Sequence, residues 1–283
     1  MNKIGIIGYG FVGQATGLGF SKSSKNEVLW YDKYKTGSST FDQVIEKSEF
    51  IFVSVPTPMF SDYSAMDMSI VEKVVSTVAK KVEGTEKIII LKSTSLPGTT
   101  AKMAKKYPKV NFAMNPEFLT QNKANYDFLH PSRTVIGVSE KRIVDRVKEL
   151  YKTILSKDQP YFIVDVTQAE LIKYMSNLIL ASKVLLGNEF YVLSKKLKID
   201  YKDVYKAVEA DPRIGTHLRV PGPDGDGGFG GACFPKDMIG LLGFAKKNKI
   251  DMSALQAIWD KNIKIRKNRD WEHMPQSFTS KKK

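Results

Sequence analysis

A thiol, an ammonium and a carboxylate lie within five residues of one another in Gly230-Gly231-Ala-Cys233-Phe-Pro235-Lys236-Asp237. Pro235 suits the first turn of a helix, so Cys233 is expected just before a helix N-terminus with Lys236 in the first turn. Both settings favour thiolate over thiol. Asp237, four residues on, is placed to handle protons, and Gly230 and Gly231 let a ligand pass close to the backbone. The plain alternative for a lone cysteine is a small buried apolar residue. Lys173 and Asn177 share one helix face at i, i+4 spacing; their plain alternative is a solvated lysine and a tolerated asparagine. Asn115-Pro116-Glu117 follows a predicted strand, where open parallel sheets place ligands. There the alternative is an ordinary acid in a first helical turn.

A further cluster suits a dinucleotide. Gly8-Tyr-Gly10-Phe11-Val12-Gly13 follows an apolar run, and Asp32 stands 19 residues beyond Gly13. Gly8 permits the tight turn, Gly10 lets the backbone approach a pyrophosphate, and Gly13 lets helix and strand pack closely. The helix N-terminus offers N–H groups and positive dipole to the anion. Asp32 can bind both hydroxyls of an adenine ribose and would repel a 2′-phosphate, which favours NAD over NADP. Lys33 and Lys35 could receive such a phosphate and keep NADP open. A glycine turn without ligand is the alternative.

These residues need elements to hold them. Residues 2–7, 27–32, 50–55, 87–91, 110–114, 133–138 and 161–165 read as strands, with helices to about 22, at 69–82 and at 140–154. Alternating strands and helices predict an α/β fold: a Rossmann-type, doubly wound parallel sheet covered on both faces. No strand follows residue 166. Thr167-Gln-Ala-Glu170 reads as a capping box heading one long helix at about 167–198, which leaves Glu170 as the capping acid. Shorter helices are expected at 200–210, 235–248 and 252–270, around a glycine-rich loop at 211–233. The expected organisation is a Rossmann domain over 1–166, an all-helical domain with one long central helix over 167–270, and a basic tail over 271–283.

Composition sets the bounds. The 283 residues carry 44 Lys plus Arg against 30 Asp plus Glu, a net charge of +14, with 42% hydrophobic and 26% charged residues. This excludes disordered and collagenous classes, and at roughly 150 residues per domain predicts about two domains. The single cysteine rules out an internal disulfide and a Cys-rich metal site, and the three histidines show no ligand spacing, so no metal is expected. Residues 4–21 are uncharged and mimic a signal peptide, but six of these 18 are glycines, which argues against a leader or a membrane span. A soluble, cytoplasmic protein is expected, with no membrane partner. The basic residues after 260 read as a solvated helix end and frayed tail; nucleic-acid contact through them is the weaker alternative.

Together the motifs resemble the UDP-glucose/GDP-mannose dehydrogenase family: GYGFVG at 8–13, VPTP at 55–58, KSTSLPGT at 92–99, NPEFL at 115–119, AELIKYMSN at 169–177, DPRIG at 211–215 and GGACFPKD at 230–237. The resemblance implies NAD-dependent, two-step oxidation of a sugar-nucleotide primary alcohol to a carboxylate. UDP-glucose is favoured over GDP-mannose or UDP-N-acetylmannosamine. It implies Cys233 as nucleophile and Lys173 and Asn177 as oxyanion stabilisers that also position the sugar. Asp237 and Thr94 would hold a water, and Glu117 would serve thioester hydrolysis. Gly8, Gly10, Phe11, Val12, Gly13, Asp32, Thr57, Thr94 and Lys236 would contact NAD. Glu117, Lys173, Asn177, Gly230 and Arg213 would contact substrate, Arg213 across a homodimer interface formed by the long helix.

Three departures stand out. Gln121 replaces an acid that contacts cofactor in the family. The loop from Arg213 to Cys233 carries PGPDGDGG and looks longer than usual. The family also has a third domain for the nucleotide half of the substrate, so the nucleotide pocket is expected to be incomplete, supplied by another chain, or replaced. A non-catalytic NAD-binding relic or regulatory module is the alternative to an enzyme.

Overall fold

The computed structural model describes residues 1–35, 39–120, 122–275 and 277–279. Gln121, singled out above, and Lys281 to Lys283 of the expected basic tail lie outside the described residues. The chain forms two compact units. The first comprises 1–57 and 68–173; the second comprises 58–67 and 174–283. The expected boundary at 166/167 thus differs from this division, which falls within the long helix, at Lys173/Tyr174.

The first unit is built on a seven-stranded sheet. Its strands are β1 (Asn2–Ile7), β2 (Asn26–Tyr31), β3 (Phe50–Val53), β4 (Ile88–Leu91), β5 (Asn111–Met114), β6 (Thr134–Val138) and β7 (Tyr161–Asp165), in the order β2-β1-β3-β4-β5-β6-β7. Alternation of apolar residues sends Ile51, Val53, Ile89 and Leu91 to one core and Phe50, Phe52, Ile88 and Ile90 to the other. A strand buried on both faces must be apolar throughout, which is why β3 and β4 carry no polar residue. Helices α1 (Phe11–Phe20), α2 (Phe41–Lys47), α3 (Ser69–Val82), α4 (Thr99–Lys106), α5 (Ala124–Leu129) and α6 (Val144–Lys152) belong to this unit. Of these, α2, α4 and α5 are short and carry too few turns for their periodicity to stand out in the sequence. No helix of the described residues is long and apolar enough to cross a membrane.

The sheet is mostly parallel, as expected, with one antiparallel pairing. β5 and β6 pair antiparallel, whereas β6 and β7 pair parallel, so the last two strands run against the other five. Periodicity reports burial and not strand direction.

α7 (Val166–Leu197) follows β7 without a loop. The capping acceptor is Asp165, whose Oδ1 takes the N–H groups of Thr167 (2.8 Å) and Gln168 (3.0 Å), while Gln168 Oε1 returns to Asp165 N–H at 3.0 Å. The box is therefore Asp165-x-x-Gln168, two residues before the expected one, and Glu170 is released for another role.

The second unit holds the rest of α7, α8 (Tyr201–Glu209), α9 (Phe234–Lys247) and α10 (Ser253–Ile265). α10 ends five residues before its expected limit. Asp226 Oδ2 takes the N–H groups of Lys267 (2.9 Å) and Asn268 (2.7 Å), so the chain turns away from the helix there. The described part of the tail is not frayed. Trp271 is fully buried, its ring 6.0 Å from that of Trp259, and Thr279 donates to Asp67. Buried aromatic area outweighs the local basic charge in fixing this segment.

Candidate active site

In the first unit, β1, β3, β4 and β5 end on one edge of the sheet, and the loops after them carry Gly8, Thr57, Thr94 and Glu117. Gly8 has φ +89°, and a Cβ there would lie 2.6 Å from Ser54 O; a Cβ on Gly13 would lie 2.0 Å from Gly8 O. Both glycines are thus demanded by the backbone. Gly10 differs. It is the N-cap of α1, has no side-chain cap, and has no atom within 4 Å of where its Cβ would stand. Phe11 and Val12 open the helix behind it. Asp32 follows β2 and receives Tyr9 N–H at 2.7 Å and Tyr34 N–H at 2.8 Å, one on each carboxylate oxygen. Each oxygen keeps a lone pair for a ribose hydroxyl. Open Gly10, uncapped α1 N–H groups and a carboxylate tied to the turn fit a dinucleotide. Lys35 is committed to Tyr9 O at 2.6 Å, while Lys33 lies over the Tyr34 ring.

Glu117 and Lys173 meet in the same unit. Lys173 Nζ lies 2.6 Å from Glu117 Oε1 and 2.7 Å from Glu117 O, with side-chain exposures of 3% and 7%. These burials overturn the solvated-lysine reading. Residues 116–120 are not helical, which removes the first-turn-acid reading of Glu117. Lys92 is buried nearby and donates to Asn115 Oδ1 at 2.6 Å. Burial pulls its ammonium down to about 7, with Glu117 opposing and Lys173 reinforcing the shift. Thr57 and Thr94 are both buried.

In the second unit, Cys233 is the half-buried N-cap of α9, with Pro235 in the first turn. Asp237 is completely buried. Its Oδ2 accepts from Asn177 Nδ2 at 2.6 Å, and its Oδ1 pairs with Lys236. Asn177 is therefore a buried partner and not a tolerated surface residue. Lys236 is spoken for by the adjacent carboxylate. Arg213 is 87% exposed and forks onto Asp211, whose carboxyl it holds below the ordinary value through that hydrogen bond. The position that a Cβ on Gly230 would take is already occupied by Arg266 and Asp270.

The structure thus forms two constellations from the expected residues: Glu117 with Lys173, and Asp237 with Asn177 and Lys236. Lys173 and Asn177 stand on successive turns of α7. Several partners were not legible beforehand. Glu170, fully buried, accepts Gly98 N–H (2.6 Å), Thr100 N–H (2.8 Å) and Thr100 Oγ1–H (2.6 Å) at the N-terminus of α4, downstream of Thr94. Asn262 and Arg266, both buried, hold the loop before Cys233. Their i, i+4 spacing on α10 was the one available signal.

Comparison with known proteins finds two family domains in succession along the chain. Residues 32–155 match the UDP-glucose/GDP-mannose dehydrogenase family, NAD binding domain, and residues 167–264 match its central domain. The UDP-glucose 6-dehydrogenase of Rickettsia bellii is 34% identical over 236 residues, 82% of this chain and 53% of the relative. The putative UDP-glucose 6-dehydrogenase YtcA of Bacillus subtilis is 37% identical over 230 residues, 78% of this chain and 52% of the relative. The chain spans about half the length of these curated relatives. A solved UDP-glucose dehydrogenase from Pyrobaculum islandicum aligns with TM-score 0.81 at 28% identity, over 93% of this chain and 68% of that one. With a glycine turn shaped for a dinucleotide and two successive domain matches over most of its length, the chain belongs to the UDP-glucose/GDP-mannose dehydrogenase family and carries that family's NAD-binding domain.

Proposed function

We propose that this chain oxidises the primary alcohol of a UDP-sugar, UDP-glucose before others, to the carboxylate, with NAD as oxidant and Cys233 as nucleophile. The observation that carries the reading is Cys233 at the N-terminus of α9, one turn before a buried Asp237 held by Asn177 and Lys236.

Gly8, Gly10, Phe11, Val12, Gly13 and Asp32 would hold NAD, with Thr57, Thr94 and Lys236 as further contacts, and the bound cofactor would supply a hydride acceptor for each of two oxidations. Cys233 thiolate adds to the aldehyde carbon left by the first. A C–S bond forms, the carbonyl π bond breaks, and the oxygen takes a proton, so the aldehyde stays tethered. The second oxidation leaves a thioester. Water adds to it, the C–S bond breaks, and Cys233 departs as thiolate. Lys173 and Asn177 offer cationic and amide N–H donors to the oxygen that gains charge. Asp237 and Thr94 hold the water for proton transfer, and Glu117 serves the hydrolysis. One alcohol, two NAD and one water give one carboxylate, two NADH and three protons.

A homodimer through α7 is part of this reading, with Arg213 reaching the partner's substrate. Its support is an apolar stripe on α7: Met175, Ile179, Leu186, Phe190, Leu193 and Leu197 are all exposed, at spacings of three, four and seven residues.

The test is NADH release, followed by absorbance, with UDP-glucose, GDP-mannose and UDP-N-acetylmannosamine. Two NADH per UDP-glucose are expected. Cys233→Ser should slow the second oxidation by at least roughly 100-fold, because a serine hydroxyl is far less ionised than a thiol. Tight NAD binding with no NADH from any sugar nucleotide would make the chain a non-catalytic NAD-binding module.

A further inference from the structure

The loop before Cys233 is anchored at every second residue by side chains from the end of α10 and the segment after it. Arg266 Nη1 donates to Gly227 O at 3.5 Å. Asn262, fully buried, receives Phe229 N–H at 2.8 Å and donates to Phe229 O at 3.0 Å. Asp270 takes Gly231 N–H, with both carboxylate oxygens 3.1 Å from the nitrogen. Cys233 is the next alternate position.

Asp270 itself is fixed. Arg266, whose side chain is 2% exposed, reaches Asp270 Oδ1 at 3.3 Å and also pairs with Asp224. Its Nε donates to Asn268 O at 2.7 Å. A buried guanidinium needs its charge and its donors matched, and these acceptors supply both. The glycines before Cys233 are shaped by the same latch. A Cβ on Gly230 would lie 2.3 Å from Arg266 Nη2 and 2.4 Å from Asp270 Oδ1, and Gly231 has φ +75°, a left-handed conformation that glycine adopts without strain. Gly230 therefore makes room for the latch, a demand separate from the close ligand approach expected of it.

We propose that Asp270, held by Arg266, is a positioning residue for the nucleophile: by accepting the Gly231 N–H it fixes the loop conformation from which Cys233 is presented. The proposal rests on Cys233 being the nucleophile. Asp270 touches no reacting atom in it and acts through the backbone two residues upstream.

Cys233 is the only cysteine of the chain, so alkylation by iodoacetamide reports on it alone. The rate is measured against pH for the wild type, Asp270→Ala, Asp270→Asn, Gly230→Ala and Asp203→Ala, the last an exposed acid on α8 that controls for lost charge. Folding is checked by circular dichroism and urea midpoint. Asp270→Ala and Gly230→Ala should change the alkylation rate at least fivefold and move its pH midpoint. Asp270→Asn, which keeps one acceptor oxygen for Gly231, should restore most of the wild-type profile, and Asp203→Ala should match the wild type. A folded Asp270→Ala or Gly230→Ala with the wild-type rate and midpoint overturns the proposal, as does a lowered urea midpoint with an unmoved pH profile. If Asp270→Ala does not fold, Gly230→Ala decides. Alkylation needs neither NAD nor sugar. Absent turnover with the expected alkylation pattern would therefore strike the dehydrogenase reading and leave the latch standing.

Discussion

Glu170 illustrates how little a residue's local context says about its task. By position it reads as a helix-capping acid; in the fold it is a buried carboxylate that ties α7 to the N-terminus of α4. Burial pushes its carboxyl from an ordinary 4.5 up to about 7, against hydrogen bonds from Thr100 and Gly98 that pull it down. Between those two values the folded chain holds the proton more tightly than the unfolded chain, so raising pH through this window lowers stability, by roughly 3 kcal/mol at most. Urea midpoints at pH 5 and pH 7.5 should show that loss. Glu170→Gln should flatten it, while weakening the fold at pH 5 by about 1–2 kcal/mol because one backbone N–H then faces an amide NH₂. Glu117 and Lys173 pose a related problem. Each is a charge taken out of water and tolerated because the other is 2.6 Å away, so removing either partner strands the other. Both residues were named from the sequence; their pairing was not, because 56 residues separate them.

At the scale of elements, the glycine turn separates fold from binding. Gly13 has no space for a methyl group and Gly10 has nothing beside it. Gly13→Ala should therefore destabilise the first unit by about 2–3 kcal/mol through overpacking and weaken NAD together with it. Gly10→Ala should leave the unfolding free energy from urea titration within about 0.5–1 kcal/mol of wild type and still weaken the dinucleotide, read by NADH fluorescence, roughly tenfold or more. Equal losses of stability in the two variants would contradict this division. The fingerprint was legible because its demands are local: a positive φ, a close helix–strand approach, and a carboxylate at the end of the next strand. The long helix was legible from its period, yet its first turn was placed two residues late, since Asp165 and Thr167 both begin plausible capping boxes.

For the molecule as a whole, the unpartnered face of α7 bears on assembly. Six exposed apolar side chains lie along one stripe of α7, the kind of surface that marks an interaction site where it is contiguous. Sedimentation should give twice the 31.8 kDa chain mass, and Met175→Glu combined with Phe190→Glu should give the single mass with the helical spectrum intact. A wild-type chain that sediments as a monomer at micromolar concentration would remove the dimer, and with it the role given to Arg213. Lys183, at the gap between Ile179 and Leu186, is the basic residue nearest the stripe, and its ammonium is engaged by Ile214 O at 2.5 Å.

The sequence by itself determined seven strands, the main helices and the dinucleotide turn, and it named the candidate site residues. Those features follow from backbone period, glycine geometry and side-chain chemistry, which act over a few residues at a time. Only the tertiary structure decided which charge answers which. It reversed the last two strands, gave Glu170 to α4, buried Trp271, and set Asp270 against Gly231, 39 residues away. Hydrogen bonds and ion pairs between distant segments depend on how the chain returns to itself, and neither period nor propensity encodes that return.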